Sequence, residues 1–101
     1  MERIEKNRTF IQSLVHTGPK KRKKNLKQAT DDEIKSLVEI LYNLRELPLT
    51  KNETKTLKPY SKQFKKFFKA RWGIEKFKKY FIDHNQILPL VISIVLCKLF
   101  D

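Results

Sequence analysis

Thr30-Asp31-Asp32-Glu33-Ile34-Lys35-Ser36-Leu37-Val38-Glu39-Ile40-Leu41-Tyr42-Asn43-Leu44-Arg45 is the stretch on which the fold turns. Thr30 followed three residues later by Glu33 is a capping box. The hydroxyl can accept from the Glu33 amide, and the carboxylate can reach back to the Thr30 amide. Ile34, Leu37, Val38, Leu41 and Tyr42 then recur at helical spacing, which predicts an amphipathic helix over Asp31 to Arg45. Asp31, Asp32 and Glu33 fall in its first turn, where the macrodipole is positive.

The chain on either side reads the same way. Downstream, Leu47-Pro48-Leu49 ends the helix, and Thr50 with Glu53 forms a second capping box that opens a short helix towards Lys58. Pro59 interrupts. Ser61 to Arg71 reads as helix with Phe64, Phe67 and Phe68 on one stripe, and Gly73 is expected to close it. Glu75 to Asp83 is a further amphipathic helix whose Phe77, Tyr80 and Phe81 face one way. Asn85 marks a turn, and Pro89 suits the first turn of a final apolar helix, Leu88 to Phe100. Upstream, Phe10, Ile11, Leu14 and Val15 make a short amphipathic turn stopped by Gly18-Pro19, and Pro19 can open another helix. No segment alternates apolar and polar residues with strand periodicity. The expected fold is all-α, a compact bundle of short helices with an apolar C-terminal helix. Its parts are residues 1–30 (short helices and a basic segment), 31–85 (a basic helical region) and 86–101 (the apolar helix), together one compact domain.

Charge narrows the function. The 101 residues carry 23 Lys and Arg against 11 Asp and Glu, a formal net charge of +12. Self-repulsion at that charge opposes compaction, and a polyanionic partner would relieve it. Lysine far outnumbers arginine among those basic residues. Arginine is the usual bidentate reader of guanine, whereas lysine acts as a flexible point charge, so the balance favours backbone binding over sequence readout.

The basic residues fall in two regions. Lys20, Lys21, Arg22, Lys23 and Lys24 follow Pro19 as an unbroken run, which matches a short nuclear-import signal or a nucleic-acid patch. Lys55, Lys58, Lys62, Lys65, Lys66, Lys69, Arg71, Lys76 and Lys79 form the second region, with many spacings of three, four and seven. Those spacings line one side of each helix with ammonium groups while the phenylalanines line the other, an arrangement suited to phosphates and counterion release. The phenylalanines are expected in the core rather than stacked on bases, and Trp72 is the aromatic residue least fixed by this pattern. A helix-turn-helix is disfavoured by the short first helix and by Pro59 in the break.

Several classes of chemistry are not expected. Cys97 is the only cysteine, so an intramolecular disulfide and a multi-thiolate zinc site are ruled out, and its apolar neighbours predict burial. His16 and His84 show no metal spacing, and no Gly-rich phosphate loop or Gly-x-Ser-x-Gly elbow occurs. The Asp31-Asp32-Glu33 cluster is explained by helix capping without a cation. No cofactor, metal or enzymatic activity is therefore expected. Met1 to Phe10 lacks the apolar region of a signal peptide, and the run Ile87 to Leu96 falls short of the ~20 residues a membrane span needs. The apolar tail (Ile87, Leu88, Leu90, Val91, Ile94, Val95) reads either as core or as a segment that docks on a protein or, less favoured, a membrane.

The order of these features resembles a known family. A Leu-Val-Glu-Ile-Leu-Tyr-Asn-Leu helix (Leu37 to Leu44) precedes Pro48-Leu49-Thr50, a Lys-rich block from Lys55 to Lys79 and an Ile-Leu-Pro-Leu tail (Ile87 to Leu90). This resembles the small basic protein of Polinton/Maverick elements and adintoviruses, which is compared with adenovirus core protein X. The resemblance spans roughly Lys20 to Leu96. It implies a virion core protein that helps condense double-stranded DNA, located in the host nucleus and the virion. The Lys55 to Lys79 block would be the condensing part, and the partners would be DNA phosphates, a nuclear-import receptor, a capsid protein or further copies of the chain. The chain departs from the family where Asp83-His84-Asn85-Gln86 replaces a usual Gly-Gly pair, and in having fewer arginines in the basic block.

Overall fold

The helix capped by Thr30 runs from Asp31 to Glu46 in the computed structural model, which describes residues 2–100. Both halves of the capping box form. The Glu33 amide donates to Thr30 Oγ1 at 3.1 Å, and the Thr30 amide donates to Glu33 Oε1 at 2.8 Å. This helix, α4 below, is the hub of a wholly helical fold. The described residues form seven other α-helices: α1 (Glu2–Lys6), α2 (Arg8–Val15), α3 (Pro19–Lys27), α5 (Lys51–Leu57), α6 (Ser61–Lys69), α7 (Ile74–Asp83) and α8 (Leu88–Phe100). Single 3₁₀ turns at Lys58–Tyr60 and Asn85–Ile87 link α5 to α6 and α7 to α8. No strand occurs among the described residues.

The buried face of α4 comprises Ile34, Ser36, Leu37, Ile40, Leu41 and Leu44. It is rotated from the stripe expected from spacing alone. Tyr42 is 37% exposed and Val38 only partly covered, because α1, α2, α7 and α8 all pack on α4 and their combined cover reaches Ile40 and Leu44.

Three local expectations change. Helix α1 is new: it has one buried residue, Ile4, too little periodicity to announce a helix. It is held from outside, by Arg3 Nε to Asp32 at 3.1 Å, Arg3 Nη1 to Glu39 at 2.8 Å and Asn7 Nδ2 to Asp32 Oδ2 at 2.9 Å. Helix α6 stops at Lys69, so Arg71 lies in the following loop. Gly73 does not close α6; extended at φ −74° and ψ 175°, it is the N-cap of α7. Pro59 interrupts as expected, but by tightening one turn rather than opening a loop.

One apolar core draws on both ends of the chain, from Ile4 through Leu37 and Phe67 to Val95. Helix α8 packs against α2 and α4. Ile87, Leu88, Val91 and Val95 are fully buried there, while Leu90 and Ile94 are partly covered. The apolar tail is therefore mostly core, not a free docking segment. Cys97 is exposed, contrary to expectation. It lies two residues beyond Val95, about 200° around the helix and so away from the face that meets α2 and α4. The Cα radius of gyration is 12.6 Å, close to the ~13 Å of a compact chain of this length despite the charge.

Candidate polyanion-binding surface

The core explains why the lysines face outward. On α6, Phe64 and Phe67 turn inward, and the Phe67 ring lies 5.3 to 6.1 Å from the rings of Tyr42, Phe77, Tyr80 and Phe81. A helix that commits those positions to the core leaves Lys62, Lys65, Lys66 and Lys69 on its exposed side. On α7 the inward Phe77, Tyr80 and Phe81 leave Lys76 and Lys79 exposed. Helix α5 buries only Leu57, leaving Lys55 exposed beside Lys58, and Arg71 is exposed in its loop. On α3, Lys20, Lys21, Lys23 and Lys24 are exposed.

Arg22 is the exception, and the reading of it as a phosphate contact is corrected. It is 7% exposed. Its Nε donates to the Leu14 carbonyl at 2.9 Å and its Nη2 to the Thr17 carbonyl at 2.7 Å. Nη1 donates to both the backbone carbonyl and Oδ1 of Asn85, at 3.2 and 3.1 Å. Burial lowers its pKa from the ordinary value, but a guanidinium remains charged at any physiological pH. The signal was present in sequence: Arg22 and Leu26, four positions apart, share one side of α3 and both are buried, which an unbroken run of basic residues conceals.

The carboxylates that form ion pairs do so elsewhere. Among the described residues, ion pairs join Arg3 to Asp32 and Glu39, Lys6 to Asp32, Arg45 to Glu46 and Lys98 to Glu53. None includes any of the exposed lysines of the two basic regions, or Arg71. The acids gather on α1 and α4, and α1 brings its own cations to them.

The basic surface is divided around α7. Lys78 Nζ donates to the Ala29 carbonyl beyond the end of α3 at 3.2 Å, and the Tyr80 hydroxyl donates to the Gln63 carbonyl of α6 at 2.8 Å. Positions two apart lie about 200° around a helix, so α3 and α6 occupy different flanks of α7. The α3 lysines make one patch, and those of α5 to α7 make another.

Several concavities lie in the second patch, and two of them combine its lysines with aromatic residues. A cleft of ≈ 360 Å³ between α6 and α7 is lined by Lys66, Lys76 and Lys79 together with Trp72, Tyr80, Asp83 and His84. Trp72 packs edge-on against Phe77 at 5.5 Å, and the Tyr80 and His84 rings are 4.8 Å apart. Burial lowers the His84 pKa, Lys66 lowers it further and Asp83 opposes, so the imidazole is less readily protonated than a free one. The other, an apolar groove of ≈ 410 Å³, runs between the end of α4, α5 and α6, with Leu44, Leu57, Phe64 and Phe68 inside and Arg45, Lys58 and Lys65 at its rim. The Arg45 guanidinium lies 5.1 Å from the Phe68 ring centre.

No protein-family model, curated protein or solved structure matches this chain significantly. Among the described residues, no cluster of three or more His, Cys, Asp or Glu is placed to hold a metal, and no single helix is long and apolar enough to cross a membrane.

Proposed function

We propose that the protein binds nucleic acid, DNA above all, through backbone phosphates and without sequence preference, and helps to condense it. One observation carries this reading. Thirteen of the fourteen cations singled out in the sequence are exposed on an ordered helical scaffold, and among the described residues none of the thirteen is held in an ion pair. Lysines held this way at the surface can each displace a condensed counterion from a duplex. Two patches on different flanks suit condensation, since one protein can then touch two duplex segments. The resemblance to the small basic protein of Polinton/Maverick elements and adintoviruses is in keeping with this reading and would make the protein a packaging component of a virion core and the host nucleus.

Two alternatives fare worse. Docking through the apolar tail is disfavoured because Ile87, Leu88, Val91 and Val95 are already committed to the core; membrane action by the same segment would first require it to leave. Nuclear import through Lys20 to Lys24 stays compatible with four exposed lysines. A receptor that needs the run extended would have to unwind α3 and expose Arg22.

The test is affinity for several unrelated duplexes across a salt series. The expected result is similar affinity for all of them and a steep linear fall of log affinity with log salt, about 0.9 per phosphate engaged. Tight binding that ignores salt would overturn the proposal.

A further inference from the structure

The cleft between α6 and α7 has features that phosphate neutralisation alone does not need. Lys66, Lys76 and Lys79 converge from two helices, as point charges for a phosphate. The same space is walled by three rings, Trp72, Tyr80 and His84. Its ≈ 360 Å³ falls in the range of clefts that hold small ligands, about 300–1,000 Å³. Cations beside aromatic rings are how proteins hold unpaired nucleotides, because every base has a face that can stack. A base inside a duplex is stacked and paired, and cannot present that face to a cleft.

The geometry points to a nucleotide subsite: the cleft takes one unpaired nucleotide of a single-stranded or frayed nucleic acid, its base against Trp72 and its phosphate among Lys66, Lys76 and Lys79. This rests on the polyanion reading and adds to it a preference for unpaired strands at this position. Asp83, at the edge of the cleft, repels the same phosphate and so moderates the affinity.

Trp72 is the only tryptophan, so the intrinsic fluorescence of the unmodified protein reports on this cleft directly. Three probes are compared at matched ionic strength: a short oligothymidylate, inorganic phosphate, and a blunt-ended duplex of two fully complementary strands, of similar charge and with no unpaired bases. The oligothymidylate should quench the emission saturably, and inorganic phosphate should not. By anisotropy of labelled probes, Trp72→Ala should weaken oligothymidylate binding about ten-fold and leave duplex binding nearly unchanged. Asp83→Asn should tighten it. The wild-type quench and the Asp83→Asn result hold even if Trp72→Ala fails to fold. An oligothymidylate that binds without quenching, or equal quenching by inorganic phosphate, would remove the nucleotide subsite and leave the polyanion reading intact. Failure of both oligothymidylate and duplex to bind would remove both.

Discussion

Arg22 and Asn85 are 63 positions apart in sequence, yet one guanidinium nitrogen of Arg22 donates to both the backbone carbonyl and the side-chain oxygen of Asn85. With the bonds to Leu14 and Thr17, this fork fastens the N-terminal helices to the α7–α8 turn. Asn85 completes the joint by donating from Nδ2 to the Ile82 carbonyl at 3.0 Å.

Replacing Arg22 should therefore cost stability rather than nucleic-acid affinity. Arg22→Ala leaves carbonyl oxygens without their charged donor, a loss of about 2–3 kcal/mol. Arg22→Lys keeps the charge without the fork, and should fall between. Urea unfolding measures both. The neighbouring Lys23→Ala should leave the urea midpoint unchanged and reduce the salt slope of duplex binding by about one phosphate. The opposite pattern would mean that Arg22 faces the ligand.

Removal of residues 87–101 should unfold the domain, because it strips from the core the apolar face that α8 presents to α2 and α4. The point substitution Leu88→Ala should cost about 2–5 kcal/mol through lost contacts and the cavity left behind. Circular dichroism melts give the answer. A truncated chain that melts cooperatively near the wild-type temperature would return the tail to the role of a free docking segment.

Acid should destabilise the fold through two carboxylates. The Asp32 carboxyl is held below its ordinary pKa, chiefly by the hydrogen bond from Asn7, with Arg3 and Lys6 adding to it. Glu53 is held low chiefly by the Thr50 backbone amide and then by Lys98. Unfolded carboxyls protonate near pH 4, before these two do in the folded chain. Their contribution is thus complete above that range and is lost as pH falls through the lower folded values. Urea midpoints between about pH 2 and 6 should fall on the acid side, and Glu53→Gln should flatten the dependence. An unchanged profile in that variant would rule out Glu53 as a contributor.

Cys97 should react with a maleimide in the native protein at neutral pH, to one equivalent and without loss of helicity, since its side is exposed. Cys97→Ser should change stability by less than about 0.5 kcal/mol. Labelling that appears only in denaturant would place the thiol in the core.

Thr50→Ala should lower stability by about 1 kcal/mol, because it removes the hydroxyl that accepts the Glu53 amide at 3.1 Å. Thr50→Ser should retain most of it. Thermal melts of the pair separate capping from general disruption of α5.

Much of the architecture was legible because local chemistry dictates it. The two capping boxes, Pro19 at a helix start, Pro59 in a tight turn and the phenylalanine stripes of α6 and α7 each depend on neighbours a few positions away, and helix geometry converts that spacing directly into structure. The outward lysines of α5 to α7 follow from the same stripes. What the tertiary structure alone decided were matters of phase and partner. Which carbonyls at Asn85 met the Arg22 guanidinium, which side of α8 left Cys97 in solvent, and how a helix as short as α1 was held all depend on residues tens of positions away. Those contacts join elements distant in the chain, so no local period encodes them.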